Sequence, residues 1–380
     1  MQNRNIHNEP TQIKLHIPIG KIVLALGPEM NSTACLLKDG EAYVTPPVGS
    51  TENLQNMERL KDSIGCLLDA AGTKYEDIDI IACDMHPRFN TTRLAEGLSE
   101  KFDIPQVSIQ HHHAHIASVM AEHGLDEIVG IAADGVGYGT DSAIWGGEVL
   151  VCRGEKFKRA GHLKEQFMPG GDMATRFPLR MLAGILHGRD DLREILLGYK
   201  GHFLHGEKEI DVVLGQLEKN INVAKTTSCG RVLDCLSALL GICFERTYEG
   251  EPAIKLEGTA LSGKANFDLP VIVRRGVLDT TQIVETALEL KNAGNKIEDI
   301  AASAQKALAD GLSEIAVGIA RGEGIKKVGM SGGVAYNKAI VGYIGKNVEK
   351  AGLKFVTNSR VPCGDGGVSL GQALVGAFLK

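Results

Sequence analysis

Residues 128–141 read Ile-Val-Gly-Ile-Ala-Ala-Asp-Gly-Val-Gly-Tyr-Gly-Thr-Asp: an uncharged apolar run, a carboxylate, then alternating glycines. A short apolar run that stops at a glycine-rich turn predicts a strand covered on both faces. Two further strands are expected at about 142–152 and 156–163. The same pattern occurs earlier. Lys21-Ile-Val-Leu-Ala-Leu26 stops at Gly27, and after Pro28-Glu-Met-Asn31 come strands over 32–37 and 41–45 joined at Lys38-Asp-Gly40. Asp-Gly suits a tight hairpin, because both central residues need positive φ. Working outward, the first copy continues with a helix at 52–71, where Leu54, Met57, Leu60, Ile64, Leu67 and Leu68 recur at helical spacing. A strand at 78–83, a helix at 91–102, a strand at 105–109 and a histidine-bearing helix follow. The second copy is interrupted by a helical stretch at about 172–320. It resumes with a strand at 327–330, a Gly-Gly turn, a helix at 335–351, a strand at 354–357 and a helix from Val368. Each copy is a three-stranded meander followed by αβαβα. The reading is an α/β molecule of two lobes facing across a ligand cleft. Residues 1–19 are a polar extension, 20–127 lobe I, and 128–380 lobe II with the helical insertion; the final helix is a candidate to pack back on lobe I.

Composition narrows the function classes. A chain of 380 residues exceeds one ordinary core. No run approaches the roughly 18 apolar residues of a membrane span, and residues 1–14 lack the apolar core of a signal peptide. A net charge of −6 argues against nucleic-acid binding by bulk electrostatics. The eight cysteines are scattered without a CxxC pair, so no disulfide or zinc framework is expected and a reducing cytoplasm is the natural compartment.

Gln110-His-His-His-Ala-His115 opens the helix after the 105–109 strand. At i and i+4, His111 and His115 share one face, and two imidazoles so placed can bind one cation. The competing reading is a polar helix start whose histidines cap or face solvent. Asp134 and Asp365 each stand where a strand is expected to meet a glycine-rich turn, in Ala133-Asp-Gly135 and Gly364-Asp-Gly-Gly367. Two histidines with one or two carboxylates form a common set for a catalytic divalent ion of the iron, zinc or manganese type; alternatively each aspartate stabilises its own turn. The glycine turns, with Gly27 and Asn31 in one lobe and Gly135, Gly137 and Gly139 in the other, leave backbone N–H groups for an anion. Gly332, Gly333 and Asn337 form a strand–turn–helix junction suited to a nucleotide. Gly170, Gly171, Asp172 and Asp234 are candidates for ribose hydroxyls, or for helix caps. His86, after a strand, is a candidate substrate-orienting group, and His112 and His113 are candidate substrate contacts.

These strings, together with Asp84-Met-His-Pro87, Met120-Ala-Glu-His-Gly124, Ile144-Trp-Gly-Gly-Glu148, Pro169-Gly-Gly-Asp172, Ser228-Cys-Gly-Arg231, Tyr248-Glu-Gly-Glu251 and Gly364-Asp-Gly-Gly-Val-Ser-Leu-Gly371, closely resemble the hydrogenase-maturation carbamoyltransferases of the HypF family. The resemblance runs from about residue 20 to the end and covers only the C-terminal catalytic part of that family. It implies the actin/sugar-kinase/heat-shock-ATPase fold, two ribonuclease-H-like lobes around a nucleotide cleft. It also implies transfer of a carbamoyl group from carbamoyl-adenylate to the C-terminal cysteine of HypE, toward the cyanide ligand of a nickel–iron centre. By motif, His111, His115, Asp134 and Asp365 would hold the metal. The glycine turns with Asp172, Asp234 and Asn337 would hold ATP or carbamoyl-AMP, with magnesium a candidate companion.

The acylphosphatase, zinc and adenylating segments of full-length family proteins are not found in this sequence. A separate subunit that forms carbamoyl-adenylate is therefore an expected partner, beside the HypE-like acceptor; no membrane and no nucleic-acid partner is expected. The alternatives are O-carbamoyl or tRNA threonylcarbamoyl transfer, or a nucleotide-binding module without transfer activity.

Overall fold

A computed structural model describes residues 9–17 and 19–379. The first sheet is built from β1 (Thr11–Lys14), β2 (Val23–Leu26), β3 (Ala34–Lys38), β4 (Glu41–Val44), β5 (Ile80–Asp84) and β6 (Gln106–Ile109), in the order β1-β4-β3-β2-β5-β6. The pairs on the β1 side are antiparallel, whereas β2–β5 and β5–β6 are parallel. The helices between these strands are α1 (Leu54–Ala70) and α2 (Asn90–Phe102), and α3 (His111–His123) follows β6. Side chains alternate across β2. Leu24 and Leu26 pack with Leu60, Ile64 and Leu67 of α1, while Val23 and Ala25 face the opposite core.

The second sheet repeats the order. Strands β7 (Glu127–Tyr138), β8 (Ile144–Arg153) and β9 (Lys156–Leu163) form an antiparallel meander, and β10 (Gln166–Pro169) follows. Then come α4 (Asp172–Arg176), α5 (Leu179–Ile185), α6 (Leu192–Leu197), α7 (Glu207–Lys219), β11 (Val223–Thr226), α8 (Cys229–Leu239), α9 (Glu251–Ala260), β12 (Val273–Arg274), β13 (Val277–Leu278), α10 (Thr280–Asn292) and α11 (Ile297–Glu323). The parallel strands β14 (Lys327–Ser331) and β15 (Lys354–Thr357) extend the meander beside β7, with α12 (Lys338–Lys350) between them and α13 (Val368–Phe378) after them. Two sheets of meander-plus-parallel strands are the duplicated ribonuclease-H-like fold, of the actin/sugar-kinase/heat-shock-ATPase type.

The last helix of each copy crosses to the other sheet. α13 covers β2, β3 and β5, α3 covers β7, β8 and β14, and the two helices pack on each other. Gly371 of α13 lies so close to the Ala114 carbonyl of α3 that a side chain there would collide with it. A single core therefore runs from Val23 and Ala82 through Ile116 and Leu374 to Leu150.

Three local readings are corrected. Thr11–Lys14, inside the segment read as a polar extension, is an edge strand on β4; only Ile13 of its four side chains is buried, so its pattern looks polar. Residues 1–8 and 18 of that segment lie outside the described residues. The stretch read as helical holds three short strands, two of them of two residues, too brief to show a period. β7 does not stop at Ala133. A bulge between Ala133 and Gly137 carries it on to Tyr138, so Gly135 and Gly137 belong to the strand, and Gly137 pairs with Trp145.

Candidate metal centre

Two ladders deliver the site. Asp84 faces Ile109 across β5 and β6, and the chain enters α3 two residues later. His111 thus begins its helix beside that carboxylate, with Nδ1 2.8 Å from Asp84 Oδ2. His115 follows one turn on, with ring centroids 4.8 Å apart. In the second sheet Ser331 faces Ala132, which sets Gly332-Gly333 against Asp134. Asp134 Oδ1 accepts the backbone N–H of Gly135 at 2.8 Å and of Gly333 at 3.0 Å. Its Oδ2 faces His111 Nε2 at 3.2 Å and His115 Nε2 at 3.4 Å. Asp365 Oδ1 stands 3.7 and 3.8 Å from the same two nitrogens. One ligand atom from each of the four lies within 4.8 Å of all the others.

The donor set fits a divalent cation. Two imidazole nitrogens and two carboxylates converge on one point, and His115 Nε2 is buried without a hydrogen-bond partner among the described residues. Asp84 holds the far nitrogen of His111, the usual arrangement of a metal-bound histidine. The electrostatics show how crowded the cluster is. Burial alone would lower His111, but Asp84, Asp134 and Asp365 outweigh it and hold the imidazolium well above the ordinary range. Burial would raise Asp134, yet the facing His111 and His115 rings hold it well below the ordinary carboxylate range. Asp365 is pushed up to about 8 by burial, with Asp134 adding to the shift. Burial lowers His115.

The other histidines divide. His86 stacks on Phe89 at 4.1 Å, meets Tyr138 edge-on at 5.4 Å, and its backbone N–H donates to Asp84 Oδ1 at 2.9 Å. His112 is fully buried against Gly137, and burial pushes it well below the ordinary range. A side chain at position 137 would stand 2.8 Å from His111 Cδ2, so only glycine fits there. His113 lies outside the four-ligand group, on Phe157 of β9 at 4.8 Å, and burial pushes it down to about 4.

The candidate nucleotide residues are spread more widely. The Gly27 turn closes through Gly27 N–H to the Thr33 carbonyl at 2.9 Å, and Thr33 Oγ1 donates to the Gly366 carbonyl at 3.0 Å, beside Asp365. Asn31 Nδ2 reaches Glu249 Oε2 at 3.1 Å. Gly139 sits at the β7–β8 turn, where its N–H donates to the Ala143 carbonyl at 2.9 Å. Gly170 and Gly171 make the turn before α4, with exposed Asp172 its first residue. Asn337 caps α12 through Oδ1, and its Nδ2 donates to Gln305 Oε1 at 2.6 Å, so both of its polar atoms are engaged within the protein. Asp234 pairs with Arg231 at 2.7 Å, both buried.

Two family models match. "HypF Kae1-like domain" spans residues 19–122, and "Carbamoyltransferase, Kae1-like Domain, second subdomain" spans 130–372. The chain belongs to the HypF carbamoyltransferase family. The Probable carbamoyltransferase HypF of Methanocaldococcus jannaschii is 43% identical over 96% of the chain and 47% of its own length. The Carbamoyltransferase HypF homolog of Cupriavidus necator is 36% identical over 93% of the chain and 91% of its own length. A crystal structure of full-length HypF in the phosphate- and nucleotide-bound form superposes with a TM-score of 0.87 at 31% identity, over 97% of this chain and 56% of that one. The chain thus spans about half the length of the first of these relatives.

Within the HypF strings, three residues had no role assigned from sequence. Asp84 was hidden because one acid at a strand end is commonplace; the only signal was that it is the sole charge in Ile80–Asp84. Arg231, in the first turn of α8, is buried with Nε and Nη1 unpartnered among the described residues, and its Nη2 lies 4.0 Å from where a Gly135 Cβ would stand. Glu122 gathers the loop ahead of Asp365: Oε1 accepts from Asn358 Nδ2 and Val361 N, and Oε2 from Ser359 N, Ser359 Oγ and Arg360 N, all at 2.8–3.1 Å.

Proposed function

We propose that this chain transfers a carbamoyl group from carbamoyl-adenylate to the C-terminal cysteine thiol of a HypE-like acceptor, toward the cyanide ligand of a nickel–iron centre. The observation that carries this is the four-ligand group of His111, His115, Asp134 and Asp365, set beside the guanidinium of Arg231, whose Nη2 pairs with Asp234 and whose Nε and Nη1 have no partner among the described residues, in a chain of the HypF family. These four residues would hold a divalent ion of the iron, zinc or manganese type. When bound, the ion polarises the carbamoyl carbonyl and offsets the charge of the departing phosphate.

The chain's own groups do the rest. Asp84 fixes the orientation of His111. Asp134 draws the Gly135 and Gly333 backbones toward one point. Arg231 offers two N–H groups to a phosphate oxygen, a charge-assisted pairing. His86 and His112 contact the transferred group, and Gly27, Asn31, Gly135, Gly137, Gly139, Gly170, Gly171, Asp172, Asp234, Gly332 and Gly333 bound the nucleotide cleft between lobe I and lobe II. The acceptor sulfur bonds the carbamoyl carbon, the bond from that carbon to the phosphate oxygen breaks, AMP leaves, and the thiol proton passes to solvent. The chain's buried thiols fit a structural role. Burial pushes Cys35, Cys152 and Cys235 above their ordinary range, Cys229 to about 12 and Cys363 to about 11. In this reading a separate subunit supplies the carbamoyl-adenylate.

The test measures metal content and carbamoyl transfer to a cysteine-ending acceptor peptide, in wild type and in the double variant His111→Ala/His115→Ala. Wild type is expected to hold about one ion per chain and to transfer the group, and the variant to lose both. Transfer that survives in a metal-free double variant would sink the reading.

A further inference from the structure

The N-cap of α3 fixes the position of a proton. Gln110 Oε1 accepts the backbone N–H of His113 at 2.8 Å, so the other branch of the carboxamide is the NH2. That nitrogen donates to the Tyr138 carbonyl at 3.0 Å and meets His112 Nδ1 at 3.1 Å. An amide NH2 has two protons to give and accepts nothing. With one proton on Tyr138, the other must go to His112 Nδ1, which therefore accepts, and the proton of the neutral ring stands on Nε2. Nε2 is buried and has no partner among the described residues. The ring cannot turn to find one. A Cβ at Gly137 would stand 3.0 Å from Nδ1, His111 lies edge-on at 5.4 Å, and the Trp145 ring is 6.1 Å away. Folded proteins rarely leave a buried donor unpaired unless a ligand or water completes it. A donor with no accepting capacity selects a ligand acceptor, and its place beside His111 puts that acceptor next to the four-ligand group.

We propose that Gln110 sets His112 as a neutral Nε2–H donor aimed at the carbonyl oxygen of the transferred carbamoyl group. This rests on the carbamoyl-transfer reading. As sulfur adds to the carbamoyl carbon, negative charge grows on that oxygen, and a donor already oriented in a dry site stabilises it without reorganising. His112 is the group that touches the substrate, and Gln110 is a positioning residue that selects its tautomer.

The test uses the full chain labelled with 15N-histidine. Nitrogen NMR of wild type is expected to show His112 Nδ1 bare and Nε2 protonated. Gln110→Glu, which offers an oxygen to Nδ1, should move the proton to Nδ1; Gln110→Met, which offers neither, should give a mixture. The second arm titrates the sulfamoyl analogue of carbamoyl-adenylate, and separately ATP, into wild type, His112→Gln and His112→Phe. The analogue should shift the Nε2–H resonance. It should bind His112→Phe about tenfold or more weakly, with His112→Gln, which keeps an N–H near that place, largely restoring affinity. ATP binding reports whether the nucleotide subsite is intact in each variant. A wild-type proton on Nδ1, an Nε2–H signal that ignores the saturating analogue (a buried water only), or full affinity in His112→Phe each overturns the proposal. If wild type binds ATP but not the analogue, the transfer reading falls, and the assignment to a carbamoyl oxygen falls with it even where NMR finds the stated tautomer.

Discussion

Asp84 shows how one side chain can tune a site it does not ligate. Its Oδ2 holds His111 Nδ1, and its Oδ1 holds the His86 backbone. Asp84→Asn keeps the size and removes the charge. We expect about 10–100-fold weaker metal affinity with the fold retained, read by competition against a chelator; unchanged affinity would mean that the contact is only packing. The same cluster fixes a pH dependence. His111 is held above its ordinary range, and Asp365 is pushed up to about 8, so in the metal-free site Asp365 keeps its proton near neutral pH and His111 gives its proton up less readily than a free imidazole. A cation binds only their deprotonated forms, so uptake must expel protons, and affinity should climb as pH rises toward about 8. Calorimetry in two buffers of different ionisation enthalpy should give different heats, and equal heats would contradict the assignment. At this scale the sequence marked the ligand candidates, because four histidines in five positions are a rare string and Asp134 and Asp365 each stand in a glycine-rich turn. It could not mark Asp84 or Arg231, whose meaning lies in which residue stands beside them across a ladder or turn.

α3 joins two jobs in one element. Its first turns present His111 and His115, and its last turn presents Glu122 to the loop Asn358–Val361, which leads to Asp365. Three successive backbone N–H groups pointing at one carboxylate form an anion nest. Glu122→Ala should cost about 1–3 kcal/mol of stability, seen as a lower urea midpoint, and should also weaken metal binding because Asp365 loses its tether. A stability loss with metal affinity untouched would separate the two roles. Gly137→Ala tests the neighbouring element. Its methyl would drive into the His111 and His112 rings, so metal binding should fall sharply while the β7–β8 ladder survives. Element types read well from the sequence where α1 shows a clean apolar period and β2 an unbroken apolar run. Element ends read poorly. The edge strand β1 depends on its pairing with β4, and the β7 bulge on its register with the next strand, β8; an apolar pattern contains neither.

The whole molecule shares one core between its sheets, because α3 and α13 are exchanged and pack on each other. Two sheets that cannot be pulled apart without opening that core should melt together, so calorimetry should show one cooperative transition with matching calorimetric and van't Hoff enthalpies. Two resolved peaks would mean that the lobes unfold independently. The duplication was legible because the meander and its glycine breaks occur twice, and the final helix was read as a candidate to return to lobe I, where α13 lies; the reciprocal crossing of α3 was not legible, since an apolar helix does not declare which of two like sheets it will cover.

That exchange also dictates an order of events during synthesis. The first sheet emerges from the ribosome long before α13, and one of its faces has no cover until the whole second sheet and its helices have followed. A nascent chain in that condition shows apolar strands to water for the time needed to translate everything between, and such surfaces are what chaperones grip and aggregates grow from. The cell must therefore hold the early half open, and a ribosome stalled ahead of Val368 should carry a chaperone that a finished chain has already shed.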